Sequence, residues 1–127
     1  MVRTARTGLP VPEYRTDLPR PGEPVPAIGS PLGLAGTVTA GIVPALDREI
    51  PASASESRAL VDLIQVDAAI SPDNSGGALL DTTGRVIGIN EAYIPPTAGA
   101  VSLGFAIPAA TAVDVAEQLL SDGRAIH

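Results

Sequence analysis

The segment from Asp67 to Gly77 contains the residues of this chain best suited to chemistry. It reads DAAISPDNSGG and lies between two predicted strands. In Ser75-Gly76-Gly77 the serine hydroxyl is carried on a turn whose backbone N–H groups can converge, because glycine permits tight geometry. A nucleophile beside an oxyanion-binding site needs this arrangement. Asn, Ser and Gly are also the common residues of tight turns, so the pattern by itself favours a structural turn over a functional one.

Two other features of this segment narrow its interpretation. The nucleophile elbow of α/β hydrolases has a glycine two places before the serine, where this chain has Asp73. That elbow also needs a helix after the serine, and the sequence ALLDTTG is not helical in pattern. Asp67 ends a predicted strand, and the sequence leaves it open whether its carboxylate makes a structural hydrogen bond or is simply exposed.

Composition excludes several classes of function. The chain has 127 residues, 45% of them apolar and 17% charged, which predicts a single folded domain over residues 1–127. It has no cysteine and one histidine, at position 127, so we expect no metal site and no cofactor. The formal net charge of −6 provides no basic surface for nucleic acid. No apolar run is long enough to cross a bilayer.

Short strands and one helix are predicted around the segment. Seven prolines between residues 9 and 31 indicate an extended surface connection, of which pieces such as 25–28 could pair at a sheet edge. Residues 44–59 are polar and without periodicity, which predicts an exposed loop. We predict strands at 35–43, 60–66 and 101–107, and a hairpin of 78–80 and 85–90 around the turn 81–84.

A helix is predicted over about 108–122. It begins at a proline and is followed by Gly123, the usual start and stop signals. Its apolar residues form a broad stripe, which we expect to be packing surface: Ala112, Val113, Ala116, Leu119 and Leu120.

Three motifs in a fixed order resemble the C-terminal barrel of the HtrA/Deg serine proteases. They are AIGSPLGLAGTVTAGIV at 27–43, LIQVDAAISPDNSGGALLDTTGRVIGIN at 63–90 and LGFAIPAATA at 103–112, and the resemblance covers roughly residues 22–120. That group belongs to the trypsin-like proteases. The resemblance implies an all-β fold: a six-stranded antiparallel barrel of the chymotrypsin-like fold, one half of a two-barrel enzyme, with a C-terminal helix.

The resemblance also assigns roles to individual residues. Ser75 matches the nucleophile, and the backbone N–H groups of Asp73 and Ser75 match the oxyanion hole. Ile70 and Ile94 match positions that line the substrate pocket. Ala69 stands where trypsin-type enzymes have an acidic residue, so the implied pocket is apolar and suits small aliphatic side chains. Asp73 departs from the family, which usually has a glycine there.

The implied function is that of a serine endopeptidase that forms an acyl-enzyme on Ser75. The family places its catalytic His and Asp ahead of this region, so we interpret the chain as a fragment that is inactive in isolation, and we do not expect His127, at a terminus, to replace the base. The implied partners are a polypeptide substrate, an N-terminal barrel and a PDZ domain. Association with further copies of the chain is expected from the apolar surface that a missing barrel would uncover. The resemblance suggests a location outside the cytoplasm or at a membrane. The alternative is a catalytically inactive pseudoprotease or a peptide-binding barrel.

Overall fold

The computed structural model describes residues 3–29, 36–50, 60–68, 70, 74–94 and 103–124. These residues form seven strands and one helix. In chain order they are β1 (Pro24–Gly29), β2 (Thr37–Ile42), β3 (Ala45–Ile50), β4 (Leu60–Val66), β5 (Ala78–Leu80), β6 (Val86–Ile94), β7 (Leu103–Pro108) and α1 (Ala109–Asp122).

The strands form one sheet in the order β2-β1-β5-β6-β7-β4-β3. Every neighbouring pair is antiparallel, and the sheet curls into a half-barrel. The all-β, chymotrypsin-like fold class with a C-terminal helix is therefore confirmed. The described residues contain seven strands instead of the six expected, and the additional strand is β3.

The loop predicted at 44–59 is wrong for residues 45–50, which pair with β4. The ladder shifts register on both sides of Arg48, and Asp47 has a positive φ of 54°. Asp62 in the partner strand also has a positive φ, of 57°. These irregularities interrupt the alternation of apolar and polar residues by which a strand is recognised in sequence. Residues 51–59 lie outside the described part of the chain.

Strand β1 is interior to the sheet, which corrects the expectation of an edge position for residues 25–28. It pairs with β2 along its whole length, from Pro24↔Ile42 to Gly29↔Thr37. Its other neighbour, β5, pairs with it only at Ala27↔Leu79. Because this second ladder is confined to one residue pair, the two prolines of β1 are not required to donate hydrogen bonds to β5.

The core draws on five of the strands, β1, β4, β5, β6 and β7, and on residues that follow β2 and β4. Its buried members are Val25, Ala27, Val43, Ile64, Val66, Ala68, Ile70, Leu79, Ile87 and Ala106. Alternate residues of β1 are buried, as expected for a strand with one buried face, whereas in β4 the neighbouring residues Leu63 and Ile64 are both buried. The site described below is built against this core.

Helix α1 packs on β6 and β7 and confirms the predicted helix. It follows Pro108 and ends at Gly123, which is left-handed and donates its N–H to the Leu119 carbonyl at 3.1 Å. Most of the predicted stripe is half-buried, whereas Leu120 is exposed, so the packing surface is narrower than predicted. Among the described residues, no helix has the length and apolar character needed to span a membrane.

Candidate active site

The predicted nucleophile, Ser75, lies on a short turn that leads into β5. Its side chain is exposed, and its hydroxyl donates a hydrogen bond to the Glu91 carbonyl oxygen in β6, with an O···O distance of 2.7 Å. An exposed hydroxyl that is fixed by one hydrogen bond is accessible to a substrate. The assignment of Ser75 as the nucleophile remains a prediction.

Strand β6 holds the turn through its backbone. The N–H of Gly76 donates to the Asn90 carbonyl at 2.6 Å, and the N–H of Asn90 donates to the Gly77 carbonyl at 2.9 Å. Within the turn, the N–H of Gly77 donates to the Asn74 carbonyl at 3.0 Å. Gly76 has a φ of 87°, a left-handed conformation that favours glycine. The left-handed conformation explains the glycine at position 76.

Strand β1 closes the other side of the turn, and close contact there also requires glycine. A Cβ atom on Gly29 would overlap the Asn74 side chain and lie 2.9 Å from its Cα. A Cβ atom on Gly77 would overlap the Ile28 carbonyl oxygen. The Ser75 turn is thus fixed between the end of β1 and the middle of β6.

Asp67 anchors the start of the loop that leads to Ser75. Its N–H donates to the Ile42 carbonyl at 3.2 Å, and its carboxylate accepts a hydrogen bond from the Ile42 N–H at 2.5 Å. The absence of a side chain at Gly41 allows this approach, because a Cβ there would overlap Asp67 Oδ1. Asp67 is exposed yet makes a structural hydrogen bond, which settles the alternative that the sequence left open.

The predicted substrate pocket is described only in part. The Ile70 side chain is buried and packs against Gly104 in β7, where a Cβ atom would lie 2.6 Å from Ile70 Cγ1. The backbone of Ile94 ends β6 and pairs with Leu103, whereas its side chain lies outside what the structure describes. Asp73, the predicted second oxyanion donor, and Ala69 also lie outside the described residues. The pocket and oxyanion assignments therefore remain predictions.

Sequence reasoning missed Asn90. Its side chain is fully buried in β6, and its amide donates to the carbonyl oxygens of Ile28 and Asn74. The sequence signal for this role is an amide side chain at the end of the apolar run Val86-Ile87-Gly88-Ile89. A polar residue that is buried in such a strand needs a hydrogen-bonding partner.

Metal ligands do not cluster in the described part of the chain. Within those residues, no group of three or more His, Cys, Asp or Glu side chains could hold a metal ion. His127, the single histidine of the sequence, lies outside them.

Comparison with known proteins identifies the family. A family model described as a trypsin-like peptidase domain matches residues 1–89. The serine protease PepD of Mycobacterium tuberculosis is 47% identical over 117 residues, which cover 85% of this chain and 25% of that protein. A probable periplasmic serine endoprotease, DegP-like, of Bartonella henselae is 49% identical over 104 residues, which cover 82% of this chain and 20% of that protein.

A solved structure gives the same answer. The HtrA-type protease AlgW with a tripeptide superposes with a TM-score of 0.81 at 39% identity, covering 96% of this chain and 40% of that chain. The chain spans a quarter or less of the length of the two curated relatives. The similarity in sequence and the similarity in structure each extend over most of these 127 residues. The chain therefore belongs to the trypsin-like serine proteases of the HtrA/Deg class.

Proposed function

We propose that residues 1–127 form one domain, the second barrel of an HtrA-like serine endopeptidase in which Ser75 is the nucleophile. The observation that carries the proposal is the exposed Ser75 hydroxyl on a turn held by β1 and β6. Its Oγ would attack the carbonyl carbon of a peptide bond and lose its proton to a base. The amine would leave, and water would hydrolyse the resulting acyl-enzyme.

The remaining site residues are proposed by resemblance to the family. The backbone N–H groups of Asp73 and Ser75 would bind the oxyanion that forms during attack. Ile70 and Ile94 would line an apolar pocket for a small aliphatic side chain. The apolar, buried side chain of Ile70, five residues before Ser75 and packed against Gly104 of β7, supports this assignment.

The base and its orienting acid must come from outside these residues. In this proposal a first barrel supplies a His and an Asp, and a PDZ domain and further copies of the chain are additional partners. Relatives named as periplasmic and chloroplastic support a location outside the cytoplasm or at a membrane. The substrate would be a polypeptide.

Cleavage by the protein as its source cells produce it tests the proposal. We expect the protein to cleave an unfolded polypeptide, and we expect Ser75→Ala to reduce the rate by at least about 10³-fold, because the nucleophile is lost. Ser121→Ala is the matched control, since that hydroxyl donates to the carbonyls of Glu117 and Gln118 within α1. Equal cleavage by the wild type and Ser75→Ala would refute the proposal.

A binding role is the second candidate function, and one observation favours it. The Ser75 hydroxyl directs its proton at a backbone carbonyl, as an unactivated serine does. A barrel of this kind would keep the cleft and bind peptides without cleaving them. Saturable binding of a fluorescent peptide that remains intact, in the protein from source cells, would favour this function over catalysis.

A further inference from the structure

Asn90 is a fully buried polar residue whose side chain bridges two other segments. Burying an amide is costly unless it forms hydrogen bonds. Its Nδ2 donates to the Ile28 carbonyl in β1 at 3.3 Å and to the Asn74 carbonyl in the Ser75 turn at 3.4 Å. Its Oδ1 accepts no hydrogen bond within the described part of the chain. The structure therefore uses this side chain as a donor.

The carbonyl of Asn74 belongs to the peptide unit that carries the N–H of Ser75. This carbonyl points inward, where it accepts from the Gly77 N–H at 3.0 Å as well as from Asn90. In a planar trans peptide the C=O and N–H bonds point in opposite directions, and the described residues contain no cis peptide. Anchoring the Asn74 carbonyl inward thus aims the N–H of Ser75 outward, on the exposed side of the turn.

We propose that Asn90 is a positioning residue that orients the Ser75 N–H as an oxyanion donor. The backbone of Asn90 holds Gly76 and Gly77, which follow the serine, and its amide holds the peptide that precedes it. One residue of β6 therefore fixes both sides of Ser75. This inference rests on the proposed function, because the orientation of that N–H affects the rate only if a reacting oxygen binds there.

Two substitutions that keep the number of side-chain heavy atoms test the role of the amide donors in the protein from source cells. Asn90→Leu removes them, and Asn90→Asp places a carboxylate oxygen against two carbonyl oxygens. We expect Asn90→Leu to lower kcat for a peptide substrate by about 10- to 100-fold, somewhat less than the 10²–10³ that loss of a whole oxyanion donor costs. KM should change less than about twofold. Asn90→Asp should lower kcat further.

A peptide boronic acid provides a second measurement, because its tetrahedral adduct with serine places an oxygen at the oxyanion site. Its affinity should fall by the same factor as kcat in each variant. Asp81→Asn is the control. This residue belongs to the turn between β5 and β6, where its carboxylate accepts hydrogen bonds from Thr83 and Arg85, so the substitution should lower thermal stability and leave kcat unchanged.

A kcat for Asn90→Leu within about twofold of the wild type, together with unchanged boronate affinity, would overturn the inference. If Asn90→Leu does not fold, Asn90→Thr, which keeps one donor in a smaller side chain, should give an intermediate kcat, and a wild-type kcat there would overturn it equally. If the wild type cleaves nothing, the proposed function fails. The crystal structure of Asn90→Leu then decides whether Asn90 orients the Asn74–Ser75 peptide. A turned Asn74–Ser75 peptide supports the positioning role, and an unchanged peptide refutes it.

Discussion

At the scale of single residues, the Ser75 site depends on two close backbone approaches that only glycine allows. Gly29 at the end of β1 lies against Asn74, the residue before the nucleophile. Added volume at this position cannot be accommodated by a flexible side chain, because the nearest atoms include the Asn74 backbone. Any larger residue must therefore displace the turn, β1, or both.

We predict that Gly29→Ala lowers both stability and activity. Overpacking of this kind costs about 1–3 kcal/mol, and the displaced turn should reduce kcat by at least about tenfold. Gly84→Ala is the matched control. That residue has a φ of 86° but open space around it, so the substitution should cost about 1 kcal/mol from backbone strain and leave kcat unchanged. Thermal unfolding measures the change in stability, and peptide cleavage measures the change in kcat. A wild-type kcat in Gly29→Ala would contradict the interpretation that the close approach of Gly29 to Asn74 fixes the Ser75 turn.

At the scale of elements, a buried carboxylate joins the N-terminal segment to the β5–β6 hairpin. Asp81 Oδ1 accepts hydrogen bonds from the N–H and hydroxyl of Thr83 and from the N–H of Arg85. Arg15 lies 3.5 Å from Asp81 Oδ2 and forms a shorter, 2.8 Å bond with Glu23. Two backbone hydrogen bonds add to this link, from the Arg15 N–H to the Val86 carbonyl and from the Val86 N–H to the Glu13 carbonyl. The hairpin that follows Ser75 is therefore tied to residues 13–23.

We predict that stability falls in acid through Asp81. Burial by itself raises the pKa of this carboxyl, but the hydrogen bonds from Thr83 and Arg85 outweigh burial and lower its pKa to about 2, from an ordinary value of 3.8. Because the folded pKa is the lower one, the stabilisation is present above about pH 4 and is lost as the pH falls towards 2. Asp81→Asn should cost about 1–3 kcal/mol at pH 7. The difference in thermal stability between wild type and variant should shrink between pH 4 and 2, and a constant difference would contradict this assignment.

Most elements could be predicted from sequence because their patterns are local. Strand β4 and the β5–β6 hairpin follow from apolar runs and a turn, and α1 follows from Pro108 and Gly123. Strand β3 could not be predicted, since positive φ at Asp47 and its register shifts break the pattern. Ser75 was identified by its motif. The role of Asn90 depends on contacts with Ile28 and Asn74, the first of them 62 residues away, and tertiary folding alone brings these together.

At the scale of the whole molecule, the outer face of β1 and β2 is apolar and exposed. Ile28 and Val38 are directly paired across the two strands, and Val38 is 60% exposed. Ile42 at the end of β2 is exposed as well. An apolar ribbon of this kind is typical of a surface that is covered in a larger assembly.

We predict that the 127-residue chain associates in a concentration-dependent manner through this face. Val38→Glu should weaken association by at least about tenfold, because it places a charge in the apolar contact. Leu120→Glu on α1 is the control, since that residue is similarly exposed but lies on a different element. Sedimentation of a dilution series measures the association of each variant and of the wild type. A monodisperse monomer at all concentrations, or an effect of Leu120→Glu alone, would contradict the prediction.

The most direct test of the central claim is covalent labelling of the nucleophile. A fluorophosphonate reacts with a serine that is activated by a base and placed beside an oxyanion site. We predict that the protein from source cells, treated with such a probe and digested, carries one adduct on the peptide containing Ser75, and that Asn90→Leu slows its formation. Absence of any adduct on Ser75 in the folded protein would contradict the assignment of this chain to catalysis and leave peptide binding as its function.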